Sequence, residues 1–196
     1  MEYVNAKLLA TAKYESAWPD TNLPEIVFVG RSNAGKSSLI NALVNRKNLA
    51  YSGKTPGKTR LLNFFQINDE MVFADAPGYG YAKGNKTTVD DFSALMDPYL
   101  SRRDNLKGIV IILDIRRVPN DDDITMVEYV KSIHLPIIVA CTKIDKVSNN
   151  QMHSNLFKIS KALNIPKDAL CPVSSLTKKG MEEMWNKLRD LTKETV

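Results

Sequence analysis

Eight residues, numbered 30–37, carry the clearest chemical signal in the sequence: Gly-Arg-Ser-Asn-Ala-Gly-Lys-Ser. They have the spacing of a phosphate-binding loop, in which glycines allow a tight turn and backbone N–H groups surround an oligophosphate. We expect Lys36 to reach the β- and γ-phosphates and Ser37 to place its hydroxyl on a magnesium ion. A glycine turn before a surface helix is the alternative, but an apolar run before the segment and a helical pattern after it favour the phosphate loop.

A second motif, Asp-Ala-Pro-Gly at residues 75–78, ends another apolar run. The Asp75 carboxylate could hold magnesium through the waters of the ion, and the Gly78 N–H could meet a γ-phosphate. The same four residues alone would indicate only a common turn. Their position after a phosphate loop therefore gives the motif its functional interpretation.

The motif Thr-Lys-Ile-Asp at residues 142–145 predicts which base is bound. The Asp145 carboxylate accepts two hydrogen bonds, and guanine offers a ring N–H and an amino group side by side. Adenine would leave a buried partner unsatisfied, so the motif favours GTP over ATP. We expect Lys143 to pack along the base and to tether the phosphate loop, although a lone Lys-x-Asp loop would be merely solvated. Ser-Ser-Leu at 174–176 could donate a backbone N–H to the guanine carbonyl.

Each motif follows an apolar run, so alternating strands and helices must position all of them. The pattern predicts strands at 25–30, 61–67, 71–75, 108–114, 137–142 and 169–173, and helices at 36–46, 88–102, 121–133, 151–163 and 180–192. The second and third strands form a hairpin at Asn68 and Asp69. The predicted fold is one α/β domain at 25–196, with a mostly parallel six-stranded sheet, one antiparallel hairpin strand and helices on both faces. Residues 1–24 are predicted to form an N-terminal edge strand or arm packed on this domain.

Composition limits the classes of protein that this chain can belong to, but it does not identify a binding partner. The chain has 196 residues, 43% of them hydrophobic, and a net charge of +5, a mild excess that suits RNA or an acidic membrane surface. The sequence contains neither an apolar run long enough to span a membrane nor a signal-peptide pattern, so we expect a cytoplasmic protein. Cys141 and Cys171 are expected to be reduced core thiols. His134 and His153 lack companions at ligand spacing, so a histidine metal site is not expected.

Two groups of basic residues could contact nucleic acid. The first group, which no acid interrupts, is Arg46, Lys47, Lys54, Lys58 and Arg60, with Phe64, Phe65, Tyr79 and Tyr81 near it in sequence. Basic side chains near aromatic ones suit ribosomal RNA, because phosphates supply affinity and unpaired bases stack. Solvated loop charge is the alternative. It is the preferred interpretation of the second group, which is Arg102, Arg103, Lys107, Arg116 and Arg117.

The order of the motifs resembles that of translation-factor-class GTPases. The sequences of residues 30–37, 55–60 (Thr-Pro-Gly-Lys-Thr-Arg) and 75–82 (Asp-Ala-Pro-Gly-Tyr-Gly-Tyr-Ala) resemble the EngB (YihA/YsxC) family, within the TrmE-Era-EngA-EngB-Septin-like class. The resemblance covers essentially the whole chain. It implies a Ras-like P-loop fold, magnesium-dependent GTP binding and hydrolysis of GTP to GDP as a conformational switch. It also implies a role in assembling the large ribosomal subunit and a requirement for normal cell division and septation.

The resemblance also assigns roles to single residues. It makes Thr59, with Thr55 as the alternative, the mobile-loop threonine that completes the magnesium shell formed with Ser37 and Asp75. The catalytic residues are then Lys36, Thr59 and Gly78. The residues expected to bind nucleotide are Gly30, Arg31, Ser32, Asn33, Ala34, Gly35, Lys36, Ser37, Gly57, Lys58, Thr59, Arg60, Leu61, Asp75, Ala76, Pro77, Gly78, Thr142, Lys143, Ile144, Asp145, Ser174, Ser175 and Leu176.

Two positions bear on catalysis. Many relatives place a glutamine after Asp-x-x-Gly to orient the attacking water, and this chain has Tyr79 there. Slow intrinsic hydrolysis is expected, with the missing group supplied from elsewhere; alternatively, Tyr79 and Tyr81 are simply exposed loop aromatics. Asn33 resembles the asparagine that helps potassium-activated relatives to bind a monovalent cation, so potassium is an expected second cofactor.

The expected partners are GTP or GDP and the large ribosomal subunit with its rRNA, bound by a monomer. Two other functions stay open. One is a nucleotide-dependent switch that binds a division or membrane protein. The other is a phosphotransferase such as a nucleoside monophosphate kinase, which would not explain the Thr-Lys-x-Asp motif.

Overall fold

The computed structural model describes residues 4–50, 61–80 and 86–193, which form one sheet with helices on both faces. The strands are β1 (Ala6–Ala12), β2 (Glu25–Gly30), β3 (Leu62–Ile67), β4 (Met71–Asp75), β5 (Leu106–Asp114), β6 (Ile137–Thr142) and β7 (Leu170–Pro172). The helices are α1 (Lys36–Leu43), α2 (Lys86–Arg102), α3 (Asp121–Ser132), α4 (Asn149–Leu163) and α5 (Met181–Thr192).

The sheet has the strand order β1-β3-β4-β2-β5-β6-β7, and neighbouring strands from β4 to β7 run parallel. The predicted hairpin is present, because β3 pairs antiparallel with β4 through a turn in which Asn68 and Asp69 have positive φ. The sheet has one strand more than the six predicted. The extra strand, β1, comes from the N-terminal arm and pairs antiparallel with β3 at the edge.

Successive residues of a strand point to opposite faces, and β2 uses both faces for the core. Val27 and Val29 belong to a hydrophobic cluster that includes residues of α2, α3 and α4. Ile26 and Phe28 belong to a second cluster, which includes residues of α1 and α5. Burial on both faces explains why the parallel strands are so apolar. Polar side chains are therefore placed mainly at the ends of these strands.

The predicted helix bounds were mostly correct to within two residues. The exception is α1, which ends at Leu43 and not at the predicted residue 46. Asn45 adopts a left-handed conformation with φ 51°, which ends a right-handed helix. The Asn41 side chain then holds the following turn, since it accepts from the N–H groups of Leu49 and Ala50.

The amino end of β2 is fixed by a buried ion pair. Glu25 is fully buried and accepts hydrogen bonds from the Tyr99 hydroxyl and from the Arg103 guanidinium. Arg102 lies 3.7 Å from Glu15 in an exposed ion pair. These contacts agree with the interpretation that much of the second basic group is not a nucleic-acid surface. Within the described ranges, no helix is both long and apolar enough to cross a membrane.

Candidate nucleotide-binding site

The predicted motifs meet at the carboxyl end of the sheet. The phosphate loop follows β2, the Asp-Ala-Pro-Gly segment begins at the last residue of β4, and the Thr-Lys-Ile-Asp segment begins at the last residue of β6. A cleft of about 240 Å³ lies over the phosphate loop, lined by Arg31, Ser32, Asn33 and Gly80. This is the edge at which parallel α/β sheets bind ligands.

The phosphate loop makes its turn through two residues with positive φ, Asn33 at 63° and Gly35 at 102°. Gly35 is the N-cap of α1, so the first N–H groups of that helix point toward the cleft side of the loop. A side chain at Gly35 would contact Thr142 and would be strained by the backbone conformation. The loop therefore presents backbone donors and a helix N-terminus, which together favour an anionic ligand.

Lys36 contacts the Asp75 carboxylate directly, so the two charged groups expected at the phosphates neighbour each other. Burial raises the pKa of Asp75, and the Lys36 charge lowers it in part. Both side chains are largely withdrawn from solvent, with exposed fractions of 13% for Lys36 and 6% for Asp75. An oligophosphate that takes up Lys36 would leave Asp75 without its partner, and a cation would then be favoured beside Asp75.

The oxygen ligands available for a metal are few. Ser37 is half-buried in the first turn of α1, and Asp75 ends β4. Among the described residues, no group of three or more His, Cys, Asp or Glu side chains could hold a metal ion. A hydroxyl and one carboxylate suit magnesium, which prefers oxygen ligands and usually takes the remaining ones from phosphates and water.

Gly78 lies against the phosphate loop. A Cβ at this position would be 3.4 Å from the Gly30 carbonyl oxygen and 3.5 Å from the Ser32 nitrogen. The Tyr79 N–H donates to the Gly30 carbonyl at 3.3 Å, and Tyr79 forms a parallel bridge with Arg31. Backbone contacts thus link residues 78 and 79 to the phosphate loop.

Tyr79 is buried, so the interpretation that it is an exposed loop aromatic is wrong. It is 5% exposed, packs edge-on against Phe92, and donates its hydroxyl to Asp123 at 2.8 Å. Burial raises the pKa of Tyr79 well above its usual value, and the Asp123 carboxylate raises it further. A phenol that stays protonated and is already bonded to a carboxylate is unsuited to act as a base.

Residues 142–145, which the sequence predicts to recognise the base and which we call the base-recognition segment, are tied to the phosphate loop by two neighbouring side chains. The Thr142 hydroxyl lies 2.5 Å from the Ala34 carbonyl oxygen and 3.1 Å from that of Leu113. Lys143 Nζ donates to the Asn33 carbonyl at 2.7 Å. The structure therefore contains the tether between Lys143 and the phosphate loop that the sequence predicts.

Asp145 is held by Ser174. The Ser174 hydroxyl donates to Asp145 Oδ1 at 2.7 Å, and this hydrogen bond lowers the pKa of Asp145. The carboxylate is therefore ionised at neutral pH and keeps oxygen lone pairs for a base. The Ser174 N–H donates to the Lys179 carbonyl, so a backbone donor to a guanine carbonyl would come from Ser175 or Leu176, of which Leu176 is 74% exposed.

Some predicted site residues contribute by packing. Ala76 and Ile144 are buried in the core. Phe64 and Phe65, which were predicted near the basic loop as aromatics for RNA, are also buried, because Phe64 packs in the hydrophobic cluster on one face of the sheet and Phe65 in the cluster on the other. That part of the RNA prediction is wrong. The predicted residues that lie outside the described ranges are Lys54, Thr55, Gly57, Lys58, Thr59, Arg60 and Tyr81, and Leu61 directly precedes β3.

Asp114 was not among the predicted site residues. This carboxylate ends β5, is 5% exposed, and accepts hydrogen bonds from Lys143 and Arg116. Burial raises the pKa of Asp114, but the hydrogen bonds from Arg116 and Lys143 outweigh that effect and hold the pKa well below its usual range. Its position would have been a usable signal, because it ends a buried strand at the same edge as Asp75.

Comparison with known proteins identifies the family. Residues 25–143 match a family profile described as "50S ribosome-binding GTPase". A Citrifermentans bemidjiense protein named "Probable GTP-binding protein EngB" is 44% identical over 182 residues, which are 93% of this chain and 85% of that protein. A Streptococcus pneumoniae protein of the same name is 44% identical over 183 residues, 93% of this chain and 94% of that protein. The chain belongs to the EngB family. It is a P-loop GTPase, as the sequence predicts.

Solved structures that resemble this EngB-family chain support its Ras-like fold. A crystal structure of a "probable GTP-binding protein engB" has a TM-score of 0.68 at 23% identity and covers 86% of this chain and 98% of its own. A structure of Era in complex with MgGDPNP and a segment of 16S ribosomal RNA has a TM-score of 0.68 at 22% identity, and covers 89% of this chain and 58% of its own. The predicted fold class is thereby confirmed.

Replacing Tyr79 with phenylalanine should leave basal GTP hydrolysis within a few fold, because the hydroxyl is engaged by Asp123 and stays protonated. The lost hydrogen bond to a carboxylate should lower the free energy of unfolding by about 1.5–3 kcal/mol. Turnover and denaturant unfolding measure the two effects. Tyr14→Phe is the control, since Tyr14 is 66% exposed and should change neither value. A large loss of turnover at unchanged GTP affinity would show that the Tyr79 hydroxyl takes part in the reaction.

Proposed function

We propose that this chain is a cytoplasmic guanine-nucleotide switch that assists assembly of the large ribosomal subunit and is needed for normal cell division and septation. The observation that carries the nucleotide part is the convergence of Lys36, Asp75 and Asp145 at one edge of the sheet. A phosphotransferase would share the phosphate loop but would have no use for a fixed carboxylate at the base position. Turnover of GTP without a phosphoryl acceptor tests that distinction.

In this proposal the phosphate loop holds the nucleotide phosphates, and Lys36 exchanges Asp75 for the β- and γ-phosphates. Ser37, Asp75 and Thr59 would hold magnesium, which supplies charge neutralisation at the phosphate oxygens when bound. Gly78 would meet the γ-phosphate through its N–H. Lys36, Thr59 and Gly78 are thus the proposed catalytic residues, and the segments that carry Thr59 and Gly78 would respond to the presence of the γ-phosphate.

Asp145 is proposed to select guanine, because Ser174 fixes one carboxylate oxygen and ionisation keeps both as acceptors. Asp145→Asn should weaken GTP binding and improve binding of a xanthine nucleotide, whose additional carbonyl can accept from the new amide. Titration of both nucleotides measures the change. Lys146→Ala is the control. Lys146 Nζ lies 3.4 Å from Asp145 Oδ2 and the side chain is half-exposed, so this variant should keep the preference for GTP. An unchanged preference for GTP in Asp145→Asn would remove Asp145 from base selection.

Potassium is proposed as a second cofactor beside the phosphates. The Asn33 side chain is exposed at the cleft while the Asn33 carbonyl is held by Lys143, so the side-chain amide is accessible to a ligand. Exchange of potassium for sodium at constant ionic strength should lower the hydrolysis rate of the native chain. The rate of Asn33→Ala should be low and indifferent to the exchange. Equal rates of the native chain in both salts would contradict the monovalent site.

The ribosomal part of the proposal rests on the family profile, whose description names 50S ribosome binding, and on the charge of the chain. Arg46 and Lys47 are exposed directly after α1, at the start of the basic loop. Phosphate contacts from such residues would supply affinity that depends on salt. Because the same loop is expected to carry Thr59, nucleotide state and RNA contact would change together. Era, a fold relative, has been solved with ribosomal RNA.

Large-subunit particles should bind the form with a non-hydrolysable GTP analogue more tightly than the GDP form. The double substitution Arg46→Ala with Lys47→Ala should weaken this binding and reduce the logarithmic salt slope by about one for each phosphate contact removed, with GTP affinity nearly unchanged. Sedimentation across a salt series measures both. Lys158→Ala with Lys161→Ala removes the same charge from exposed positions of α4 and should have little effect. Equal binding in both nucleotide states would favour the switch that binds a division or membrane protein.

A further inference from the structure

The Asp114 carboxylate is saturated by hydrogen bonds within the protein. Oδ1 accepts from the Arg116 N–H at 3.1 Å and from Arg116 Nε at 2.9 Å. Oδ2 accepts from Arg116 Nη2 at 2.7 Å and from Lys143 Nζ at 2.9 Å. A carboxylate has about four lone-pair positions, so these four contacts use its accepting capacity. Asp114 is therefore fixed in position and orientation.

Lys143 connects this fixed carboxylate to the phosphate loop. Its Nζ donates to Asp114 and, at 2.7 Å, to the Asn33 carbonyl. The Lys143 side chain is 31% exposed and the Asp114 side chain 4%, so the ion pair lies at the mouth of the site and not in free solvent. A lysine that had only a neutral carbonyl as its partner would be held far less firmly, because charge-assisted hydrogen bonds are the stronger ones.

The link through Lys143 is the second of two parallel links. Thr142 joins the carbonyls of Leu113 and Ala34, and Lys143 joins Asp114 to the carbonyl of Asn33. The two links lie side by side. Each joins one residue at the end of β5 to one residue of the phosphate loop, through Thr142 in one link and Lys143 in the other. The Thr142 hydroxyl has one proton and can donate to one carbonyl at a time, whereas Lys143 bonds both of its partners at once.

We propose that Asp114 is a positioning residue that, through Lys143, fixes the phosphate loop relative to the base-recognition segment and so sets the affinity for GDP and GTP alike. The proposal rests on the guanine-nucleotide site proposed above. Both nucleotides share the base and the α- and β-phosphates. A displacement of the phosphate loop relative to the base-recognition segment therefore weakens the binding of both to the same extent. Base preference belongs to Asp145, which makes no contact with Asp114, and stays unchanged.

The chain offers a matched control in Arg116. The Arg116 side chain also donates hydrogen bonds to Asp114, but it is 46% exposed and makes no described contact with the phosphate loop. Removal of Arg116 leaves the ion pair between Asp114 and Lys143 in place. Replacement of Asp114 by asparagine, in contrast, puts an NH2 group in place of one oxygen, against two of the four donor contacts, and removes the charge that holds Lys143.

The experiment measures GDP and GTP-analogue affinity for D114N, K143Q, R116Q and the double variants D114N/K143Q and D114N/R116Q. D114N should weaken both nucleotides by about tenfold, and R116Q should have a much smaller effect. K143Q should lose at least as much as D114N, because Lys143 is also expected to pack along the base. D114N/K143Q should lose little more than K143Q alone, since the two side chains act as one unit. Additive losses would instead show that Asp114 and Lys143 act independently and would contradict the proposal.

Thermal unfolding without nucleotide shows whether each variant folds. D114E supplies a second variant, which keeps the charge but moves the carboxylate by about one carbon–carbon bond; it should weaken both nucleotides by a smaller factor than D114N. Native affinities in D114N or D114E, or equal losses in D114N and R116Q, would overturn the positioning role. Failure of D145N to change base preference would instead contradict the underlying site, and the two failures are therefore distinguishable.

Discussion

The site depends on the hydrogen bonds that two consecutive residues of the base-recognition segment make to two consecutive carbonyls of the phosphate loop. Thr142 contacts the Ala34 carbonyl and Lys143 contacts that of Asn33. Within the loop, the Ala34 N–H donates to the Arg31 carbonyl at 3.0 Å. The carbonyls of Asn33 and Ala34 are bound by Lys143 and Thr142, which fix the loop without using its other N–H groups. We expect a loop fixed in this way to lower the entropic cost of binding an anionic ligand.

Buried carboxylates serve three different purposes in this chain, according to their partners. Glu25 is fully buried with Arg103 and Tyr99, and it fixes the amino end of β2 far from the cleft. Asp114 is saturated by Arg116 and Lys143 and holds a fixed geometry. Asp75 has Lys36 as its described partner, and its pKa is raised by burial. A carboxylate that is incompletely satisfied gains most from a new cation, and Asp75 has the fewest described hydrogen bonds of the three. This agrees with the prediction that Asp75 lies beside the magnesium site.

Sequence patterns predicted the fold and the motif positions because both follow from local rules. Apolar runs gave the strands, and glycine spacing gave the phosphate loop. Asp114 was missed because it belongs to none of the recognised motifs, although it ends a buried strand; its contacts appear only when the parallel register places it beside Thr142 and Lys143 bonds to it. Phe64 and Phe65 were misjudged because their nearness to basic residues in sequence does not show that both faces of β3 are buried in the core. The end of α1 depended on one left-handed asparagine, which a helical pattern does not reveal.

The side chain of Tyr79 is not where its position in the motif would suggest. It occupies the place where many relatives carry a water-orienting glutamine, yet its side chain packs on Phe92 and bonds to Asp123 of α3. Asp123 also forms a capping box with Asn120, so the carboxylate that holds Tyr79 is part of the helix start and is not free to follow it. Release of the hydroxyl would cost about 1.5–3 kcal/mol, in addition to the loss of the ring's burial. The segment after Gly78 is thus anchored on α3 through the Tyr79 hydroxyl and on Gly30 through the Tyr79 N–H. We therefore expect the group that orients water to be a residue other than Tyr79.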